Sequence, residues 1–493
     1  MAKYVINRDY CFAGWEKLPF ALFCKDSKTP FFLDKEQFHY IFSCNGYTDI
    51  DLSAARESTR GVFDFLLKKG VITEAKEGTG LQLHEYRKFP ARYRRDVQLS
   101  ITGRCNYHCK HCFQSAPHGL LGQPDTAQVL DIIDQLAECG VFEVSVTGGE
   151  PLIRPDFWEI IDRINEKGLR LTTVYSNGAL IDQKLLDGFK KRGIKPSWNI
   201  SFDGLGTHDF LRGVEGAEEK AVNAIKLLVR EGYSVACSYT LTKRTAPVFR
   251  ESIKFLAALG VHSVKTGNAM RQGEWMNHPE EWLTDEEQLG FYCEYLPQYI
   301  QDGRPLNLQC EGLFMGYSDA HINSMTANMP DSYSEDAVRT RLPKISFMHE
   351  KKLTEDMLGE VPACEVLRGS FYIGPTGRVL PCMSLEGTPA GNRFPSVFET
   401  RLSDIMRSSH FTEMTACTVK DVFDHNASEC DNCEHRLSCA AGCRAAAVGA
   451  SGEDYLACDK HTCMTLKENW TGKIRAAIAA TELGKQLLDE ISG

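Results

Sequence analysis

Between residues 95 and 270 the chain alternates, six times over, a short apolar or β-branched run with an amphipathic stretch of helical period. The runs are 97–102, 142–147, 170–175, 197–202, 234–241 and 263–265; helical stretches such as 127–138, 157–167 and 217–231 lie between them. A chain written this way buries its apolar faces by laying the strands parallel and crossing over through right-handed helical connections. Six such units predict an α/β domain, an open, partial (β/α)6 TIM-type barrel. Barrels of this kind carry their chemistry at the C-terminal ends of the strands.

The flanks read differently. Residues 1–88 offer short strands at 19–24 (PFALFC) and 30–33 (PFFL), helices around 35–43 and 54–69, and a further strand near 71–73, a winged-helix-like module. Residues 271–361 form a bridging region or insertion. A helix is expected near 280–300, and 320–360 is polar and irregular, the composition of an insertion or lid. From 362 to 493 the chain is rich in Cys and Gly up to Cys463, then closes with one expected helix over 465–491. A region so poor in periodic apolar segments is commonly held by metal.

Cysteine is the outlier of the composition: 19 residues, unevenly spread, in a chain of 493. The opening residues lack the charged-then-apolar layout of a secretion signal, and no apolar run reaches the roughly 20 residues of a membrane helix. A cytoplasmic location is expected, and there clustered cysteines read as metal ligands or redox groups rather than disulfides. The formal net charge of -10 argues against a nucleic-acid or anionic-membrane surface.

Directly after the first barrel strand comes Cys105-x3-Cys109-x2-Cys112. Three thiolates on one loop can hold three irons of a [4Fe–4S] cube, leaving the fourth open to an outside ligand. The competing reading is a zinc site completed by His108 or His111. After the second strand, Thr147-Gly148-Gly149-Glu150-Pro151 offers a bare backbone and a carboxylate suited to an ammonium group. Tyr175-Ser176-Asn177-Gly178 ends the third strand and Ile200-Ser201-Phe202-Asp203-Gly204 the fourth; Arg212 follows.

In this order, these motifs resemble the radical S-adenosylmethionine (SAM) superfamily. The resemblance implies that Cys105, Cys109 and Cys112 bind a three-cysteine [4Fe–4S] cluster and that SAM chelates its open iron. Reductive cleavage then yields a 5′-deoxyadenosyl radical that abstracts hydrogen from the substrate. It places Gly148, Gly149 and Glu150 at the SAM amino group, Ser176, Asn177 and Ser201 on its ribose and carboxylate, and Arg212 at its carboxylate. His111 stands where the family has an aromatic residue near the adenine.

The C-terminal spacing is Cys364-x12-Gly377-x4-Cys382, then Cys430-x2-Cys433-x5-Cys439-x3-Cys443, then Cys458. It resembles the SPASM domain of peptide and protein maturases and implies two auxiliary [4Fe–4S] clusters, against a competing reading of zinc or disulfides. By that resemblance Cys430, Cys433, Cys439 and Cys458 hold one cluster, with Cys463 competing for the last place. Cys364, Cys382 and Cys443 hold the other. Its fourth position is filled by Cys310, Cys417 or Cys463, or stands open for a substrate thiol, which a metal would deprotonate. Cys11, Cys24, Cys44, Cys139, Cys237 and Cys293 lie in periodic or apolar contexts and read as small buried hydrophobes.

The N-terminal layout resembles the RiPP recognition element, which takes a leader peptide as an added strand. The expected activity is therefore that of a radical SAM oxidoreductase maturing a ribosomally synthesised precursor peptide through its leader. A thioether of the sactipeptide or ranthipeptide type is the first expectation, with carbon–carbon crosslinking and epimerisation as alternatives. A flavodoxin- or ferredoxin-type low-potential donor would supply electrons. An anaerobic sulfatase-maturase-like enzyme is a second reading, weakened by Met383 where those enzymes carry an aspartate. A non-catalytic iron–sulfur redox sensor reading DNA is a third. Its candidate helix mixes Arg56, Glu57, Arg60, Asp64, Lys68 and Lys69 and makes no phosphate-binding face. No residue stands out as the substrate-side base.

Overall fold

The computed structural model describes residues 2–26, 28, 30–312, 353–359, 361–364, 369–439 and 441–492. Most of the polar segment 320–360 expected to be an insertion or lid falls in 313–352, outside the described residues.

The N-terminal module contains seven strands: β1 (Ala2–Ile6), β2 (Tyr10–Glu16), β3 (Leu18–Cys24), β4 (Pro30–Phe32), β5 (Asn45–Ile50), β6 (Ile72–Glu74) and β7 (Tyr86–Arg92). They form two sheets, ordered β5-β1-β6 and β4-β3-β2-β7. Helices Lys35–Phe42 and Glu57–Lys68 lie where the periodicity predicts them, the first opened by a capping box on Asp34 and Gln37. The module is richer in strands than its expected winged-helix-like layout. β5 escaped sequence reading because NGYTDI has a polar, exposed middle and no apolar alternation. Phe12, Leu22, Phe63, Leu66 and Ile72 form the module's own core. A second patch, Trp15, Phe23 and Phe142 with Phe89, joins it to the barrel. There the Trp15 indole N–H donates to the Gly140 carbonyl at 3.3 Å. A Cβ on Gly140 would strike Trp15 and Phe89, so this contact requires glycine.

The barrel strands are β8 (Asp96–Ser100), β9 (Glu143–Thr147), β10 (Arg170–Ser176), β11 (Ser197–Ser201), β12 (Val235–Leu241) and β13 (Ser263–Asn268). All six expected strands are present, parallel and consecutive. The sheet continues beyond them, with β14 (Asn307–Cys310) parallel on β13 and β15 (Ser370–Ile373) parallel on β8. β16 (Val379–Leu380) is antiparallel to β15 and completes nine strands. The cysteine-rich region is thus built into the barrel sheet.

The two faces of this sheet differ in chemistry. Val97, Leu99, Val144, Val146, Val174, Trp198, Ile200, Cys237 and Val264 are buried against helix residues such as Ile132, Ile160, Leu186, Ile225 and Ile253. The opposite face carries Gln98, Ser145, Tyr175, Asn199, Ser201, Ser238, Thr240 and Lys265, each partly or largely exposed. An ordinary closed barrel fills its interior with branched apolar side chains. Here the interior is a polar, open chamber.

Past the barrel, helix Asp285–Gln301 begins at a capping box on Thr284 and Glu287, and carries the core residues Leu289, Tyr292 and Leu296. The single closing helix expected over 465–491 is three: Lys460–Lys467, Trp470–Ala479 and Glu482–Ser492. Asn469 adopts φ 53° at the first break, and its side chain accepts a bond from the Gly472 N–H, which caps the next helix. Ile474 and Ile478 then join the main core, so this part packs back on the barrel as expected. No helix of the described residues is long and apolar enough to cross a membrane.

Candidate active site and metal centres

The Cys105–Cys112 loop leaves the C-terminal end of β8 and is fastened to the loop after β11: His108 N–H donates to Arg212 O and Lys110 N–H to Leu211 O. Its three thiols lie within each other's electrostatic reach. Burial pushes the Cys105 thiol up to about 12 and raises Cys109 and Cys112 as well. Donors work against that rise at each sulfur. Tyr107 N–H stands 3.4 Å from Cys105 Sγ, Ala116 N–H 3.3 Å from Cys112 Sγ, and Arg212 Nη1 3.7 Å from Cys109 Sγ. Three partly buried thiols met by N–H donors suit a metal cluster, since ligation requires thiolates.

Gly148 and Gly149 follow β9 and lie against the same loop. Gly149 N–H donates to Thr102 O and Glu150 N–H to Arg104 O. A Cβ on Gly149 would stand 2.2 Å from Arg104 O, and one on Gly148 2.6 Å from Thr102 O. Bareness here lets two strand ends touch, a cradle any side chain would fill. Glu150 is fully buried, and its carboxyl is pushed up to about 7 by desolvation, partly offset by its bonds. It accepts from Asn177 N–H (2.8 Å), Ser176 Oγ–H (3.0 Å) and Leu152 N–H (3.2 Å). The geometry therefore uses this carboxylate to clamp the end of β10 to the glycine loop. Asn177 in turn donates to Asn106 Oδ1 at 2.8 Å, joining β10 to the cysteine loop. Ser201 ends β11, partly exposed on the chamber face.

Arg212 reaches the loop already paired: its Nε is 2.7 Å from Asp203 Oδ2, with both side chains buried. Burial alone would raise the Asp203 carboxyl; Arg212 foremost, then His111, His208 and the Thr240 N–H, bring it down to about 2. Desolvation lowers His111 to about 4, and its ring packs edge-on to Trp275. Asp203 and His208 are site residues that sequence reading passed over, although Asp203 stands in the quoted Ile200–Gly204 motif. Nothing in one sequence marks an aspartate as the partner of an arginine nine residues on.

In the cysteine-rich region eight of the nine described thiols fall into two groups. Cys430, Cys433, Cys439, Cys458 and Cys463 line one pocket with Glu429, His435 and Arg436, and Cys430 Sγ is 3.9 Å from Cys458 Sγ. Cys458 and Cys463 both face this pocket. Cys443 instead lies in the field of Cys382 and Cys364. Asp459 links the groups by accepting from Cys443 N–H at 2.9 Å and from Thr462 Oγ–H at 2.7 Å. Arg444, fully buried, staples the loop through the carbonyls of Ala441, Tyr455 and Ala457. Of the three candidates for a further ligand beside Cys364, Cys463 lies in the other pocket. Cys310 sits in the field of Tyr292, Tyr295 and Tyr299 against the main core. The Cys417 carbonyl accepts from Ala363 N–H, next to Cys364, while its thiol donates to Thr418 O at 3.6 Å. Every cysteine is free of disulfides; of the six read as buried hydrophobes, Cys11, Cys44, Cys139 and Cys237 are buried, and Cys24 and Cys293 partly so.

The barrel cysteines lie inside one recognised sequence family, and Cys364, Cys382, Cys430 and Cys433 inside a second, with Cys439, Cys443, Cys458 and Cys463 just beyond its matched residues. The Radical SAM superfamily matches residues 99–256, and SPASM, an iron–sulfur cluster-binding domain, matches residues 364–434. The chain is a radical SAM enzyme with a SPASM domain behind its barrel, and the two domains imply SAM and iron–sulfur clusters as its cofactors. Among its relatives, an AdoMet-dependent heme synthase of Oleidesulfovibrio alaskensis is 27% identical over 72% of this chain and 84% of its own. A PqqA peptide cyclase of Granulibacter bethesdensis is 25% identical over 72% of this chain and 83% of its own. The fold is shared with Streptococcus suis SuiB bound to its precursor peptide SuiA: TM-score 0.58, 16% identity, 93% of this chain and 99% of that one. It is also shared with anSMEcpe bound to AdoMet and a peptide: TM-score 0.54, 16% identity, 81% of this chain and 100% of that one.

Proposed function

We propose that this enzyme matures a ribosomally synthesised precursor peptide, with a thioether crosslink as the first product to seek. In this reading Cys105, Cys109 and Cys112 hold the barrel cluster, and the Gly148–Gly149 backbone, Ser176, Asn177, Ser201 and Arg212 surround SAM. Cys430, Cys433, Cys439 and Cys458 hold one auxiliary cluster; Cys364, Cys382 and Cys443 hold the second. With these groups bound, the site supplies a carbon radical able to abstract hydrogen from an unactivated carbon. The chain's own residues do the rest. Glu150 and Asn177 fix the SAM-side loops, Asp203 and Arg212 set the charge beside Cys109, and the polar chamber admits an extended substrate.

The observation that carries the peptide reading is the open chamber together with the N-terminal module. Residues 1–88 present β5 as an edge strand and expose Phe42, Tyr47, Leu81, Leu83 and Tyr86, features suited to an added leader strand with apolar side chains. The PqqA peptide cyclase relative and the peptide-bound SuiB fold support it. A second reading, modification of a tetrapyrrole, is favoured by the heme synthase relatives. The test is anaerobic reconstitution with iron and sulfide, then mass spectrometry of a short candidate precursor peptide after incubation with SAM and dithionite. A product lighter by two hydrogens, dependent on the leader, is expected. An unmodified peptide alongside a converted iron–porphyrin precursor would replace this reading with the second.

A further inference from the structure

The register of the sheet fixes which side chains face the chamber. Asn199 pairs with Tyr175, Ser238 bonds Asn199 Oδ1 at 2.8 Å, and Ser238 pairs with Lys265. These four side chains therefore share one face, opposite to Ile200, Cys237 and Val264 in the core. Lys265 Nζ stands 2.6 Å from Glu311 Oε1, which brings Glu311, just past the C-terminal end of β14, onto the same face. Burial works against the Lys265 ammonium, but Glu311, then Tyr175 and Cys382, more than offset it, so Cys382 lies within electrostatic reach of Lys265.

Among the described residues, three other carboxylates near the strand ends are buried away from the chamber. Glu150 is fully buried under three hydrogen bonds, Asp203 is buried against Arg212, and Glu386 is buried beside Tyr372. The Glu311 side chain keeps 49% of its accessible surface and that of Lys265 45%. The Glu311 main chain is nonetheless rigidly held. Its N–H donates to Thr266 O at 2.7 Å, and its carbonyl accepts from Tyr292 Oη–H at 3.0 Å and Gln288 Nε2–H at 3.1 Å. A Cβ on Gly267 would stand 2.7 Å from Glu311 Cβ, so the neighbouring strand is bare where this side chain passes. Among the described residues, His461, which bonds Gly312 O at 2.7 Å, and its partner Asp285 stand beside this turn.

We propose that Glu311 is the substrate-side proton acceptor of the chamber and that Lys265 is its positioning residue. The assignment rests on the peptide reading above. In the step assigned, a substrate X–H bond breaks, a thiol S–H or the N–H or C–H beside the reacting carbon. Its electron pair stays on X and its proton passes to a Glu311 carboxylate oxygen; no electron leaves in this step, and the exposed side of Glu311 returns the proton to solvent. Lys265 holds the carboxylate in the chamber through the 2.6 Å contact. A positioned base of this kind accelerates by about 10²–10⁴-fold.

The test uses reconstituted holoenzyme and a short candidate precursor peptide carrying deuterium on its side-chain and α carbons. Glu311→Gln is expected to keep transferring deuterium into 5′-deoxyadenosine while crosslinked peptide falls at least about 100-fold, so that 5′-deoxyadenosine accumulates without product. Glu311→Asp should recover part of the product, and Lys265→Gln should fall between wild type and Glu311→Gln. A purely structural lesion would lower both readouts together. That outcome, or a wild-type ratio of product to 5′-deoxyadenosine in Glu311→Gln, overturns the assignment and leaves the peptide reading standing. A wild type that cleaves SAM but leaves the peptide unmodified overturns both.

Discussion

The pairing of Asp203 with Arg212 illustrates how much of this site depends on single buried charges. Removing one partner strands the other in a low-dielectric interior, at a cost of about 3–5 kcal/mol. Arg212→Met is therefore expected to lower the unfolding free energy of the cluster-free protein by that amount in denaturant titrations. Asp203→Asn added to Arg212→Met should restore a large part, because no lone charge remains. Glu386 offers a test in pH. Desolvation pushes its carboxyl up to about 7 from an ordinary 4.5, only partly countered by the Gly387 N–H, Arg378 and Tyr372. The folded chain then holds a proton that the unfolded chain releases, so stability falls as pH rises from about 4.5 to 7 and is level above that. The fall amounts to about 3 kcal/mol. Glu386→Gln should remove this part of the slope in thermal melts across pH 4.5 to 7.5 (about three points per unit suffices). At this scale the cysteines were legible, because ligand spacing is local along the chain. Asp203, Glu386 and the Lys265–Glu311 pair were not: their meaning comes from partners on other strands, which only the folded register supplies.

Among the elements, the glycine loop after β9 carries the tightest requirement. Gly149→Ala would set a methyl 2.2 Å from the Arg104 carbonyl, an atom that cannot swing aside because it accepts the Glu150 N–H. SAM binding by equilibrium dialysis is expected to weaken at least about tenfold, corresponding to 1.4 kcal/mol of displaced backbone, with circular dichroism little changed. The six barrel strands were readable because each is an apolar or β-branched run bounded by turns. The sheet's added strands were not: β14 and β15 are four residues each and β16 two, too short for a period to declare itself. The closing helix was misread for the opposite reason. Its apolar spacing runs on through Asn469, whose left-handed backbone is invisible to a hydrophobic count.

Considered whole, the molecule joins a barrel held by a large apolar core to a cysteine-rich segment held by a smaller apolar cluster around Leu358, Val419 and Phe423, a few staples and its thiols. Chelating the iron should accordingly leave the barrel protease-resistant while residues 426–463 become the first cleaved, as read by limited proteolysis and mass spectrometry. Arg444→Met should reproduce that sensitivity even in the iron-loaded protein, since the three carbonyls it bridges lose their shared donor. Because β15 hydrogen-bonds directly to β8, the strand from which the Cys105 loop springs, the two metal-bearing halves have a common wall. Oxygen that corrodes the C-terminal thiols would loosen that wall from behind. Air exposure should thus silence SAM cleavage even in molecules whose front cluster is still intact.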